Sequence, residues 1–370
     1  MTNAPWWLDR PVWPPVEPAI ERAVMVAMRS GDWGRYEAAA SEELLTAILA
    51  WVGRRRGRLM ASGSAAIEWA LRSMRGGRTG LFEPGDRVAI SAWDYPGVLR
   101  AVELCGATPV MVDVERQRPV MDVGSLRRVL QTTSVSMVVA SHLFGIAADV
   151  EGIAAVCREF EVAWIEDACQ VPAMLIDGQM AGSFGDVATL SFGGSKPLTA
   201  GSGGAMLTDD EGIAGRWSAM LDRPSDVSPM SSLQSAALLP QLASIHHWRD
   251  RRNATAAMIA ERLPEIGLST FLNRSGVTAS HYKMAIRFDD ADRCTGAIER
   301  AGRVGFALGR PFRSLDRVSS RRCEQPVAAV HAGRLAGTTA LLDHRMLMVP
   351  AERWGDLWGG LREVLGGGGG

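Results

Sequence analysis

Lysine is almost missing from this 370-residue chain: of its 40 basic residues 38 are arginine, and only Lys196 and Lys283 carry an amine. A guanidinium does not form a Schiff base and an amine does, so each remaining lysine is a candidate for covalent chemistry as well as for a plain surface charge. Net charge is also lacking, with 40 basic residues against 41 acidic. That balance gives no field for nucleic acid or an anionic membrane and points to a small-molecule partner. No apolar run reaches the ~18 residues of a membrane span, and the start, MTNAPWWLDRPVW, has neither a basic leader nor a signal-length apolar stretch. Cysteine is sparse and unpatterned. Cys105, Cys157, Cys169, Cys294 and Cys323 are odd in number and show no CxxC spacing, which speaks for reduced thiols and a cytoplasmic setting. The six histidines include one adjacent pair, His246-His247, whose side chains would diverge by about 100° on a helix, so no metal site is expected.

What is present is an alternation of periods. RVAIS (87–91), TPVMVDV (108–114), VSMVVAS (135–141), VAWIED (162–167), VATLSF (187–192) and AMLTDD (205–210) read as strands, with helical segments such as GVLRAVELCG and VEGIAAVCREF between several of them. Such alternation predicts right-handed βαβ units and a mainly parallel sheet covered by helices on both faces, an α/β fold. The expected organisation is an N-terminal helical segment over 1–55, a large α/β domain over 56–245 and a small α+β domain over 246–365. A disordered glycine tail follows at 366–370. A long helical stretch from residue 230 to 263 leads out of the large domain and is expected to hinge at Pro240.

The chemistry concentrates at strand ends, where open parallel sheets bind ligands. Asp167 follows WIE and Lys196 follows LSFGGS. A lysine that forms a Schiff base and a carboxylate that keeps a pyridine nitrogen protonated together suit pyridoxal chemistry; alone, Asp167 reads sooner as a helix cap or metal ligand. Ser62-Gly63-Ser64 precedes a helix, where free N–H groups and the helix dipole make a phosphate seat, or an ordinary N-cap. It is not a Walker loop, and no GxGxxG follows a strand. Ser191 lies five residues before Lys196 in a Gly- and Ser-rich run that an anion can approach closely. Tyr95, after RVAIS, offers a face for stacking or simply packs. His142, after VVAS, is either a cofactor neighbour or a satisfied core histidine.

In this order the segments MASGSAA, GDRVAISAWDY, GATPVMVDV, VVASHLFGIAADVEGI, WIEDACQ, GSFGDVATLSFGGSKPLTAGSGGAMLTDD and MSSLQSAALLPQL resemble the sugar and cyclitol aminotransferases of the DegT/StrS type. PVWPPVEPAIERAVMVAMRSGDWGRY, SHYKMAIRF and DHRMLMVP look most like the branch of 3-amino-5-hydroxybenzoate synthases and scyllo-inosose aminotransferases. The resemblance implies a fold type I, aspartate-aminotransferase-like enzyme that uses pyridoxal 5'-phosphate (PLP), as a homodimer with active sites at its interface. It implies that Lys196 carries the cofactor and shuttles a proton, that Asp167 binds the pyridine nitrogen, and that Gln170 lies near the ring hydroxyl. Tyr95 would stack on the ring, Gly63, Ser64 and Ser191 would hold the phosphate, and His142 would lie nearby. Four positions depart from the family pattern: Val227 and Pro229 replace an Asn and an Arg, Ser202 a glutamate, and Ala173 a glycine.

The expected reaction is transfer of an amino group from L-glutamine or L-glutamate to a keto-cyclitol or keto-sugar. Two other readings stay open. One is a PLP-dependent lyase, dehydratase or cyclase, although the family's dehydratases carry histidine in place of the lysine. The other is a non-catalytic paralogue that pairs with an active subunit.

Overall fold

Strands buried on both faces must feed two cores at once, and residues along these strands divide in that way. In the computed structural model, which describes residues 14, 17–35, 38–74, 84–194, 196–221, 229–304, 308–310, 312, 314–315, 330–331, 346–350 and 358–366, seven strands of the main sheet lie between Arg56 and Thr208, six of them at the segments read as strands. They are β1 (Arg56–Met60), β2 (Arg87–Ser91), β3 (Thr108–Val112), β4 (Met137–Ser141), β5 (Ala163–Asp167), and, beyond a hairpin of β6 (Leu175–Ile176) and β7 (Gln179–Met180), β8 (Val187–Ser191) and β9 (Gly204–Thr208). On β2, Ala89 enters one core while Val88 and Ile90 enter the other; on β4, Val138 and Ala140 oppose Met137 and Val139.

The remaining strands are β10 (Ser269–Thr270), β11 (Val277–Thr278), β12 (Lys283–Arg287), β13 (Val330–His331) and β14 (Met346–Pro350). The main sheet runs β1-β9-β8-β5-β4-β2-β3-β13. Only β9 opposes its neighbours; the others run parallel to one another. A second sheet, β10-β12-β14, is antiparallel. It packs with α9 (Ile245–Arg262), α10 (Ala291–Arg303) and α11 (Trp358–Gly366) around a third core that includes Ile259, Met284, Ile286, Ala297 and Leu361.

Helices start where a side chain can satisfy their free N–H groups. Ser62 caps α3 (Gly63–Ser73) by accepting from the Ala65 N–H at 3.0 Å. Asp122, Asp149 and Asp210 do the same for α5 (Val123–Thr132), α6 (Val150–Glu159) and α7 (Glu211–Met220). The connection between β2 and β3 is α4 (Pro96–Leu104), with proline in its first turn. At the N-terminal side, α1 (Pro18–Ser30) and α2 (Ala39–Val52) each end on a left-handed glycine, Gly31 and Gly53. Both helices pack on α8 (Ser232–Leu238), and Ser41 and Ser235 join hydroxyls at 3.1 Å.

Three readings of the sequence change. The stretch from 230 to 263 does not bend at Pro240 but breaks there: α8 ends at Leu238, a 3-10 turn spans Leu239–Ala243, and α9 begins at Ile245. Proline lacks the N–H that would continue the ladder. The β6–β7 hairpin went unread although Asp177-Gly178, both at positive φ, form its two-residue turn. Gly366 closes α11, and residues 367–370 of the glycine run lie outside the described residues. Among the described residues no helix is long and apolar enough to cross a membrane.

One contact places the site. Gly204 opens β9 against Ser62 and Gly63, and a Cβ there would meet the Ser62 carbonyl carbon and oxygen at 2.6 Å and the Gly63 nitrogen at 2.7 Å. Both partners are backbone and cannot swing aside. Gly204→Ala should therefore lower stability by about 1–3 kcal/mol, read as a fall in the urea midpoint; an unchanged midpoint would contradict this packing.

Candidate active site

A cavity of about 280 Å³ opens at the carboxyl ends of the parallel strands. Asp167 ends β5 and Ser191 ends β8, so both reach it from below. The Asp167 carboxylate is fixed on both oxygens. Oδ1 accepts from the Cys169 N–H at 2.9 Å and the Thr189 hydroxyl at 3.2 Å, and Oδ2 faces the Ser141 hydroxyl at 3.4 Å.

Lys196 enters from the loop after β8. Its N–H closes a turn on the Gly193 carbonyl at 2.9 Å. The loop is clamped from behind by buried Gln241, whose Oε1 accepts the Thr199 N–H at 3.1 Å and whose Nε2 donates to the Thr199 carbonyl at 2.7 Å. Burial takes the Lys196 amine down to about 8, with the charges of Cys169 and Asp167 opposing and that of Lys283 assisting. At neutral pH a sizeable fraction of such an amine is unprotonated and nucleophilic.

The opposite wall is an anion seat. The N-terminus of α3 presents Ser62, Gly63 and Ser64 to the cavity, where N–H groups and the helix dipole attract negative charge. A Cβ on Gly63 would meet Ser191 Cβ at 2.7 Å and Cys169 Sγ at 2.9 Å, so only glycine leaves this approach open. Tyr95 is 47% exposed and lies edge-on to Phe312, with centroids 5.4 Å apart. Gln170 is buried and its Oε1 has no hydrogen-bond partner among the described residues, an acceptor open to a donor within the cavity. A buried lysine amine, a strand-end carboxylate, a helix N-terminus facing the cavity and this buried amide suit PLP.

Seven of the residues singled out from sequence, Lys196, Asp167, Gln170, Tyr95, Gly63, Ser64 and Ser191, line this one cavity. His142, read as a possible cofactor neighbour, does not. It is a core histidine: Nδ1 accepts the Ala148 N–H at 3.0 Å, so Nε2 carries the proton and donates to Glu166 at 3.1 Å. Burial would raise the Glu166 carboxyl, but His142 and the N–H groups of Gly182 and Gly185 outweigh it and hold its pKa below the ordinary value.

Sequence reasoning missed Asp94, Cys169, Tyr282, Lys283 and Phe312. Asp94 precedes Tyr95 and is fully buried; it accepts from the Tyr95 N–H at 2.6 Å and faces the Ser141 hydroxyl at 2.7 Å. Burial and the neighbouring Asp167 charge push its pKa up to about 8. At neutral pH it is therefore an acid that can donate to Ser141, which then donates to Asp167. Lys283 had a signal, its rarity, but nothing local placed it near Lys196.

The departures also have places. Ala173 stands at φ 69, the region glycine tolerates, at a cost of about 1–2 kcal/mol for a residue with Cβ. The Ser202 hydroxyl donates to the Ala61 carbonyl beside the anion seat. Pro229 is exposed ahead of the capping box of α8, and Val227 lies outside the described residues.

Comparison with known proteins agrees with this geometry. The sequence profile of the DegT/DnrJ/EryC1/StrS aminotransferase family matches residues 15–345. The L-glutamine:2-deoxy-scyllo-inosose aminotransferase of Micromonospora echinospora is 27% identical over 308 residues, 76% of this chain and 72% of that protein. The L-glutamine:scyllo-inosose aminotransferase of Streptomyces griseus is 24% identical, over 99% of this chain and 95% of that one. The crystal structure of 3-amino-5-hydroxybenzoic acid synthase superposes with a TM-score of 0.83 at 20% identity, covering 98% of each chain, and shares the fold.

The buried Asp94 gives a pH signature. The unfolded chain releases this proton near the ordinary 3.8 and the folded chain near 8. Between those values the native state binds more protons, so stability falls as pH rises, with the full penalty above 8. Asp94→Asn keeps the donor toward Ser141 without the penalty. Its melting temperature relative to the parent should rise by several degrees between pH 5 and pH 9; a pH-independent difference would contradict the buried acid.

Proposed function

This chain belongs to the DegT/DnrJ/EryC1/StrS aminotransferase family, and from that premise we propose that it moves the amino group of L-glutamine or L-glutamate to a ketone on a cyclitol or sugar in natural-product biosynthesis. It is a PLP-dependent aminotransferase. The observation that carries the reading is the convergence of Lys196, Asp167 and the α3 seat on one cavity. The glutamine-dependent inosose aminotransferases that align with most of the chain support the cyclitol class.

When bound, PLP supplies an electron sink that makes an amino donor's α-proton labile. The residues around it have separate tasks. Lys196 Nζ would hold the cofactor, and its amine is placed to accept and return a proton at the donor carbon. Asp167, held by the Cys169 N–H and the Thr189 and Ser141 hydroxyls, would bind the pyridine nitrogen. Ser64, Ser191 and the N–H groups at Gly63 would hold the phosphate, Gln170 the ring hydroxyl and Tyr95 a face of the ring.

The enzyme works as a homodimer whose sites lie at the interface, in a reducing cytoplasm. Exposed Met25, Val26, Met28 and Trp33 give an apolar surface suited to a second copy, and Cys105, Cys157, Cys169 and Cys294 are buried and form no disulfide among the described residues. Light scattering should give twice the chain mass.

Adding L-glutamine or L-glutamate to the purified PLP-loaded protein should convert its visible absorption to that of the pyridoxamine form. An unchanged spectrum with every amino donor would sink the proposal. Lys196→Ala should lose the covalent absorption band and about 10²–10⁴-fold or more in turnover. Because the free amine titrates near 8 rather than at the ordinary 10.5, PLP capture by the apoprotein should accelerate as pH rises through about 8 and level off above it; a rise continuing to pH 10 would contradict the lowered value.

A further inference from the structure

The chain has two lysines and both line the same cavity. Lys283 opens β12, on the second sheet, and its Nζ lies 4.7 Å from the centroid of the Tyr282 ring; Lys196 Nζ lies 4.6 Å from that same centroid. Tyr282 is buried and Lys283 half-buried. With 38 arginines in the chain, none lines this cavity among the described residues. No carboxylate pairs with Lys283 among the described residues either. Asp167, the one acid lining the cavity among the described residues, is already held by Cys169, Thr189 and Ser141.

A partly desolvated ammonium that faces an aromatic ring and a second amine is under-compensated, because cation–π attraction replaces only part of its hydration and like charge opposes it. An arriving anion would complete it. The cofactor's phosphate has its own seat at the N-terminus of α3. The anion that must come close to Lys196 is a different one: the α-carboxylate of an amino-acid donor is bonded to the carbon whose proton Lys196 moves. A cation sharing the Tyr282 ring with Lys196 is placed to receive it.

We propose that Lys283 is the receptor for the α-carboxylate of the amino donor and thereby restricts donors to α-amino acids. The inference rests on the aminotransfer reading above. Its test compares L-glutamine with 4-aminobutanamide, the same side chain without the α-carboxylate, in single-turnover conversion of the PLP-loaded enzyme. A second measurement titrates glutaramate, which keeps the carboxylate and lacks the amine, by its perturbation of cofactor absorbance.

Lys283→Met should slow L-glutamine conversion at limiting donor by about 10- to 100-fold and weaken glutaramate binding by a similar factor. It should leave 4-aminobutanamide conversion and the PLP dissociation constant unchanged, and Lys283→Arg should recover much of the glutaramate affinity. Loss of PLP affinity in Lys283→Met would instead make this lysine part of the phosphate seat. Equal slowing of both amines, or undiminished glutaramate binding, would likewise overturn the inference while leaving aminotransfer standing. A parent enzyme that converts with no amino donor would overturn both.

Discussion

A carboxylate at the buried end of a central strand is stable only where donors surround it, and the rest of the site is arranged around that condition at Asp167. Three neighbouring segments contribute: Ser141 from the end of β4, Thr189 from the middle of β8 and the Cys169 N–H from the turn after β5. These contacts need β4, β5 and β8 in parallel register, which the pairing of Ser141 with Asp167 and of Asp167 with Thr189 supplies. The sheet thus acts as a jig: a slip of one residue would turn Asp167 into the opposite core. Glu166, one residue earlier, shows the alternative, tied to His142 and to the backbone at Gly182, Phe184 and Gly185.

Behind Asp167 the protein holds a second acid, Asp94, whose state is set first by burial and then by the neighbouring Asp167 charge. Burial, with the neighbouring Asp167 charge assisting, keeps the proton on Asp94 to about 8, and the Ser141 hydroxyl lies between the two carboxyl groups. A proton on Asp94 orients the Ser141 hydroxyl toward Asp167. On the other side of the cavity, desolvation acts in the opposite sense on Lys196 and favours its neutral amine. Burial therefore prepares an acid to stay neutral and a base to become neutral within one site.

Strand-end residues were legible from sequence because period and position suffice: Asp167 and Ser191 end apolar runs, Lys196 follows one, and Ser62-Gly63-Ser64 opens a helix. Asp94 was not, since its burial depends on Ser141 from a strand paired to its own only in the folded sheet. His142 lay open between two readings, and only the tertiary contact with Glu166 separates them. Lys283 comes from the second sheet, so its rarity marked it as unusual without saying which surface it joins. The β6–β7 hairpin was readable from Asp177-Gly178 and was passed over because its strands are two residues long. Ala173 adds a position where the resemblance named a glycine and the left-handed backbone supplies the reason.

With two amines beside one ring, the central claim reduces to which of them bears the cofactor. Sodium borohydride reduction of the PLP-loaded protein, followed by peptide mass mapping, answers that directly. The cofactor mass should appear on the peptide containing Lys196, with Lys283 unmodified. An adduct on Lys283, or none on either lysine, would contradict it.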